Sequence, residues 1–307
     1  MSGRPLRKRI KNDAIYYTVR VLLQIVTLLP ERVACGALVL LGRLVFRVAR
    51  RERERVLRHL RSAFPEKTPE QIRALARQVF IDLGKNGCAA IRIPHYVRNG
   101  LDRYVRIEGR EHLDRALARG KGVLAITGHI GCWELMAAWF AHNGYQLAVV
   151  GRELYDPRFD AMLVSLRQGA GMVNFNRDGA ARKMLRWLRN GGMLGVLIDQ
   201  DTGVESEFVK FFGRLAKTPS APVVLAQRLG AAVVPMAIHR QQDGRHVITV
   251  MPELDLIPDD GKRETRIANV QKCSDAIEAF IRMHPAQWVW MHERWKSQPE
   301  TRESGKA

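Results

Sequence analysis

From Gly122 onward short apolar runs alternate with amphipathic stretches, and that alternation leaves few folds open to the chain. The runs Val123 to Thr127, Leu147 to Val150, Met193 to Ile198, Ala232 to Ile238 and Val247 to Met251 read as strands. Helical stretches near 131–142, 156–169, 178–190, 219–229 and 264–283 separate or follow them. Strand and helix taking turns predicts an α/β fold with a mostly parallel central sheet flanked by helices. Upstream, Thr68-Pro69-Glu70-Gln71 is a helix entry, with Thr68 as N-cap, Pro69 at the first helical position and Gln71 completing a capping box for a helix to about Ile91. Thr218-Pro219 repeats the first two of these signals before the 219–229 helix.

The first fifth of the chain reads differently. Residues 1–62 hold 15 basic and 4 acidic side chains, and the whole chain of 307 residues carries a formal charge of +19. Two apolar blocks, Ala14 to Leu29 and Val33 to Ala49, flank Pro30-Glu31-Arg32. Neither is an unbroken apolar run of about 20 residues, because Arg20 and Gln24 interrupt one and Arg43 and Arg47 the other. Each interrupting pair has i, i+4 spacing and shares a helical face, the pattern of basic amphipathic helices lying in a membrane interface. A soluble helical hairpin and a tilted single span over 33–49 stay open. Residues 1–62 are therefore expected to form a membrane-anchoring helical segment, and 63–307 the α/β domain.

Charge alone admits an acidic protein, an anionic membrane or nucleic acid as partner. No zinc-finger, homeodomain or RNP pattern supports nucleic acid, and the N-terminal arginines lie within apolar amphipathic helices. Cys35, Cys88, Cys132 and Cys273 are far apart with no CxxC pair, so neither a disulfide framework nor a zinc cluster is expected.

Chemistry concentrates in Gly128-His129-Ile130-Gly131-Cys132-Trp133-Glu134, directly after a strand and at the mouth of a helix. On a regular helix, residues five apart lie about 140° apart. His129 is therefore expected in the glycine-flanked turn, folded back so that Glu134 orients its imidazole as a general base. No serine occupies a G-x-S-x-G elbow, and Cys132 reads as a buried helix residue before a nucleophile. Asp199-Gln200-Asp201 ends another strand, where an Asp-x-Asp pair holds either a divalent metal with a diphosphate or arginines that orient a substrate. Arg152, Arg167, Arg177 and Arg182 lie in or after predicted sheet-edge loops and suit phosphate or carboxylate. Trp288, Trp290, His292, Glu293, Arg294 and Trp295 form a dense cluster, read first as core packing.

Six ordered blocks, TGHIGCWE (127–134), GRELYDP (151–157), NFNRDGAARKML (174–185), IDQDTG (198–203), VKFFGRLAKTPSAPV (209–223) and WMHERWK (290–296), resemble the late acyltransferases of lipid A biosynthesis over nearly the whole chain. The one departure is Cys132, where many relatives carry Asn. The resemblance implies an O-acyltransferase without cofactor or metal. It would move a fatty acyl chain from acyl carrier protein, or acyl-CoA, to a hydroxyl of a lipid A precursor or another glycolipid or aminolipid. It implies His129 and Glu134 as catalytic, Arg167, Asp199 and Asp201 as oxyanion-stabilising or substrate-orienting groups, and Arg152 and Arg177 as partners of acceptor phosphates. Backbone N–H groups at Gly131 are further oxyanion candidates. It places the protein at the cytoplasmic face of the bacterial inner membrane. A metal-dependent glycosyltransferase built on Asp199 and Asp201 remains the alternative from another class.

Overall fold

The computed structural model describes residues 6–177 and 179–299. Three helices open it, α1 (Leu6–Leu28), α2 (Glu31–Val48) and α3 (Arg50–Ala63), followed by α4 (Pro69–Ile91) and the short α5 (Ile93–Asn99). The α/β part runs β1 (Val105–Glu108), α6 (Arg110–Ala118), β2 (Val123–Thr127), α7 (Trp133–His142), β3 (Leu147–Gly151), α8 (Pro157–Gly169), β4 (Val173–Asn176), α9 (Ala181–Arg189) and β5 (Met193–Leu197). It continues through β6 (Ser206–Phe211), β7 (Arg214–Pro219), α10 (Ala221–Leu229), β8 (Ala232–Arg240), β9 (His246–Val250) and α11 (Arg263–Met283).

Seven strands form one sheet in the order β1-β9-β8-β2-β5-β3-β4, parallel at every pairing except β8 with β9. Its middle strands are apolar because both faces are covered: all five residues of β2 are buried. The pairing that matters for function joins β2 to β5, with Thr127 opposite Leu197. The expected α/β architecture is therefore present.

Local corrections have physical causes. β1 and β4 escape a reading by apolar runs because they are edge strands of four residues with polar positions, such as the exposed Arg106 and the half-buried Asn174 that accepts from Arg167. The segment after Asp201, to which the strand pattern assigns no element, holds the antiparallel β6–β7 hairpin, turned by Phe212 at φ 50° and Gly213 at φ 74°. The capping box at α4 is formed as expected, with Gln71 N–H donating to Thr68 Oγ1 and Thr68 N–H to Gln71 Oε1. Thr218-Pro219 does not start a helix: both residues end β7, α10 begins after Ser220, and the Thr218 hydroxyl accepts from the buried Arg294.

Among the described residues no helix is long and apolar enough to cross a membrane, the 18-residue α2 that carries residues 33–48 included. Instead α2 packs closely on α4. A Cβ on Gly42 would stand 2.3 Å from the Phe80 carbonyl oxygen and one on Gly84 2.4 Å from that of Leu38, so the two glycines set the spacing. The buried Arg92 reaches back from the end of α4, its guanidinium donating to the carbonyls of Val26 and Leu29 and closing the end of α1. Away from these contacts Val21, Leu22, Ile25, Leu28, Leu40, Leu41, Leu44 and Val48 remain exposed.

Candidate active site

His129 stands two residues beyond Thr127 and Asp199 two residues beyond Leu197, so pairing of β2 with β5 brings them together at the carboxyl edge of the sheet. Asp199 Oδ1 lies 2.7 Å from His129 Nδ1, and Oδ2 accepts the His129 backbone N–H at 2.6 Å and the Trp288 indole N–H at 2.7 Å. Gly128 permits this approach, since a Cβ there would meet Asp199 Oδ2 at 2.9 Å. Asp199 is buried. Burial by itself raises its pKa, but the His129 charge and these donors outweigh it and hold the carboxyl well below the usual carboxylate range. Asp199 is thus an anion that fixes His129 with its proton on Nδ1 and its lone pair on Nε2.

The turn bearing His129 is pinned from several sides. Gly131 has φ 59°, and a Cβ there would stand 2.1 Å from the Ile238 carbonyl oxygen. Its N–H donates to the Gln287 carbonyl, and Val289 N–H donates to the His129 carbonyl. The Gly131 N–H expected as an oxyanion donor is therefore already used. The tryptophan cluster does pack as core, with Trp288 and Trp290 buried edge to face at 4.6 Å, but Trp288 also serves the site through Asp199.

Glu134 is not the partner of the imidazole. Its carboxylate takes a two-pronged ion pair from Arg167, at 3.0 Å from Nε and 2.6 Å from Nη2, while Arg167 Nη1 donates to Asn174 Oδ1. On the first turn of α7 Glu134 projects toward the end of α8, whereas His129 folds toward β5, which is why the shorter separation along the chain misleads. Asp201 accepts from the backbone N–H and hydroxyl of Ser297 and anchors the C-terminal segment. Asp199 and Asp201 thus serve separate hydrogen-bond sets, and among the described residues no cluster of His, Cys, Asp or Glu is arranged to hold a metal ion. Cys132 is buried and burial pushes its thiol up to about 12, unsuited to a nucleophile.

Arg152 and Arg177 each follow one member of the Gly151 and Asn176 pair of β3 and β4, so they share the carboxyl edge of the sheet with His129. Arg152 is exposed, Arg177 half-buried with its N–H on the Gly151 carbonyl. Arg182 lies in the first turn of α9.

Two residues missed in the sequence complete the site. Gln200 Nε2 lies 3.1 Å from His129 Nε2 and 2.8 Å from His292 Nε2. Burial and the neighbouring His129 charge lower the His292 pKa to about 4, leaving that ring neutral. The only signal in the sequence was their place inside motifs singled out for their neighbours.

Beside the site a narrow cavity of about 40 Å³ runs between α7 and the sheet. Trp133, Met136, Ala137 and Phe140 line it from one face of α7, and Ala125, Thr127, Leu147, Val149, Met193, Gly195 and Leu197 from alternate positions of β2, β3 and β5. Glu134 and Arg167 also line it and are its charged residues. A second, larger apolar groove of about 760 Å³ lies between α1 and α8, where Ile15, Leu23, Leu154, Tyr155, Phe159 and Met162 contribute.

An α/β sheet with a His-x4-Glu turn at its carboxyl edge, an apolar channel beside it and exposed apolar helices defines an acyltransferase of the lipid-modifying class. The chain belongs to the bacterial lipid A biosynthesis acyltransferases, whose family model matches residues 4–297. It is 29% identical to the lipid A biosynthesis lauroyltransferase of Escherichia coli over 275 residues, 88% of this chain and 86% of the relative. Identity to the Escherichia coli lipid A biosynthesis myristoyltransferase is 26% over 87% of this chain and 82% of the relative. A phosphatidylinositol mannoside acyltransferase of Mycobacterium tuberculosis H37Rv is 30% identical over 62% of this chain and 59% of its own length.

Proposed function

We propose that the protein transfers a fatty acyl chain from the thioester of acyl carrier protein to a hydroxyl of a lipid A precursor at the cytoplasmic face of the inner membrane. The observation that carries this reading is the anionic Asp199 on His129 Nδ1, which leaves Nε2 as the base beside an apolar channel. The acceptor hydroxyl gives its proton to Nε2 as its oxygen attacks the thioester carbonyl; the C–S bond then breaks and the thiol leaves with that proton. Asp199 stabilises the imidazolium in between, the part first expected of Glu134. General base catalysis of this kind supplies about 10²–10⁴-fold, or roughly 3–5 kcal/mol of barrier.

The acyl chain of the donor is assigned to the apolar cavity under α7, which has to widen well beyond its volume of about 40 Å³ to admit it, by movement of the flexible Met136, Met193 and Met236 side chains. Arg167, held by Glu134 and Asn174, orients the donor from the cavity's lining, and Arg152 and Arg177 take acceptor phosphates at the carboxyl edge of the sheet. Residues 1–62 anchor the enzyme through the exposed apolar side chains of α1 and α2, with the apolar groove between α1 and α8 open to lipid tails. The net charge of +19 favours both the acidic carrier protein and an anionic bilayer.

A micelle assay tests the reading: purified protein receives labelled lauroyl acyl carrier protein and a tetra-acylated lipid A precursor. Transfer by the wild type that His129→Ala abolishes is the expected result. Absence of transfer to this acceptor, with transfer to a phosphatidylinositol mannoside instead, would move the protein to another glycolipid.

A further inference from the structure

The oxygen of a thioester carbonyl becomes negative as the acceptor attacks, and a donor must meet it. The Gly131 N–H is committed to Gln287. Three N–H groups of Arg167 are committed to Glu134 and Asn174. The polar group against the reacting nitrogen is instead the carboxamide of Gln200. Its Nε2 stands 3.1 Å from His129 Nε2 and 2.8 Å from His292 Nε2, and the rings of the two histidines lie 4.9 Å apart, edge to face. A carboxamide nitrogen carries two N–H groups, enough to donate one to each ring.

We propose that Gln200 is a catalytic residue: its side-chain N–H occupies the base in the resting site, yields that place to the acceptor hydroxyl, and then donates to the thioester oxyanion while His292 keeps hold of its second N–H. The inference rests on acyl transfer from His129 as proposed above. Acceptor oxygen bonds to the carbonyl carbon and its proton passes to His129 Nε2. The C=O pair moves onto oxygen under the Gln200 N–H, then returns as the C–S bond breaks, and the sulfur leaves with the proton from His129. Ester and thiol are the products, with no other reactant needed.

The backbone of Gln200 is fixed from both sides, so only its side-chain N–H has to turn from the base to the neighbouring oxyanion. Asp199 before it is held by His129 and Trp288, and Asp201 after it by Ser297. The Asp-Gln-Asp sequence thus reads as one donor between two anchors. His292 is a positioning residue, its ring neutral and able to accept from the carboxamide.

The test is steady-state transfer in the same micelle assay with Gln200→Leu, Gln200→Glu, His292→Leu and His292→Gln, each first checked for an unaltered thermal melt. Gln200→Leu is expected to lower kcat by about 10²–10³-fold with KM within a few-fold, the loss for a deleted oxyanion donor. Gln200→Glu is expected to move the acid limb of the kcat/KM profile to higher pH, because a carboxylate on His129 raises the pKa of the base. His292→Leu is expected to lower kcat, and His292→Gln, which restores an acceptor near the same place, to recover part of it. A Gln200→Leu enzyme with kcat within threefold of wild type, or a Gln200→Glu profile that does not move, overturns the proposal while leaving His129 in place. If Gln200→Leu melts early, the Gln200→Glu profile decides. Failure of the wild type to transfer at all would instead strike the parent reading.

Discussion

Asp199 and His129, 70 residues apart in the chain, meet because each lies two residues past a directly opposed pair on adjacent parallel strands, Leu197 on β5 and Thr127 on β2. Strand pairing sets the histidine's partner, and the carboxylate nearest in sequence has another use. The two acids therefore differ in what their loss does.

Asp199→Asn is expected to reduce kcat by about 10²–10⁴-fold, because an amide cannot stabilise the imidazolium and no longer selects the Nδ1–H tautomer. Glu134→Gln is expected to reduce it less. Parallel kinetics on the two variants, with melts as control, check the order; the reverse order would return Glu134 to the base.

The pair of Glu134 and Arg167 is expected to show itself in stability. Their side chains are only 12% and 10% exposed, so Glu134→Gln strands a buried guanidinium at a cost of about 3–5 kcal/mol. Glu134→Leu combined with Arg167→Met removes both charges and is expected to recover most of the loss. Denaturant unfolding of the two singles and the double gives the coupling; additive losses would show that the pair does not hold α7 to α8.

How much of this was legible in the sequence follows from what a sequence encodes locally. The strands β2, β3, β5 and β8 were readable because burial on both faces makes them continuous apolar runs. His129 and Arg167 were readable as motif residues, and Asp199 as a polar residue at a strand end. Strand order was not: that β5 sits between β2 and β3 is a tertiary choice, and it alone decides that Asp199 serves His129. Gln200 and His292 were hidden likewise, since they meet across 92 residues.

Acid is expected to weaken the fold between about pH 6.5 and 3. Burial, the largest cause for each, lowers His239 to about 4, His246 to about 3 and His292 to about 4. Above the ordinary histidine value of about 6.5 folded and unfolded forms are both neutral and the groups have no effect. Below it the unfolded chain takes up protons that the folded one refuses, so stability falls with pH until the folded pKa is reached. His246, whose ring nitrogens have no hydrogen-bond partner, isolates the effect: His246→Leu should flatten the slope in this window, measured by unfolding at stepped pH.

Thiol reactivity is expected to single out Cys35. A hydrogen bond from Cys88, opposed by burial and aided by Arg240 and Lys85, lowers it to about 6, whereas burial pushes Cys132 and Cys273 up to about 12. Brief iodoacetamide treatment of the folded protein followed by peptide mass analysis should find Cys35 modified first. Equal labelling of Cys132 would contradict the buried helix start at the site.

Membrane attachment is expected to depend on the exposed apolar residues of α2. Leu40→Glu with Leu44→Glu should reduce sedimentation with phosphatidylglycerol vesicles several-fold while leaving the melt unchanged, since neither side chain belongs to the core. Unchanged binding would mean that this face packs against protein.

The stretch from Gln287 to Ser297 donates to Asp199 through Trp288, receives the Gly131 N–H, supplies His292 and secures Asp201. During synthesis the sheet and His129 leave the ribosome well before this stretch does. A nascent chain can therefore hold its sheet and its base while the base still lacks its full set of partners. The base gains its full set of partners only once residues 287–297 have folded back onto the edge of the sheet.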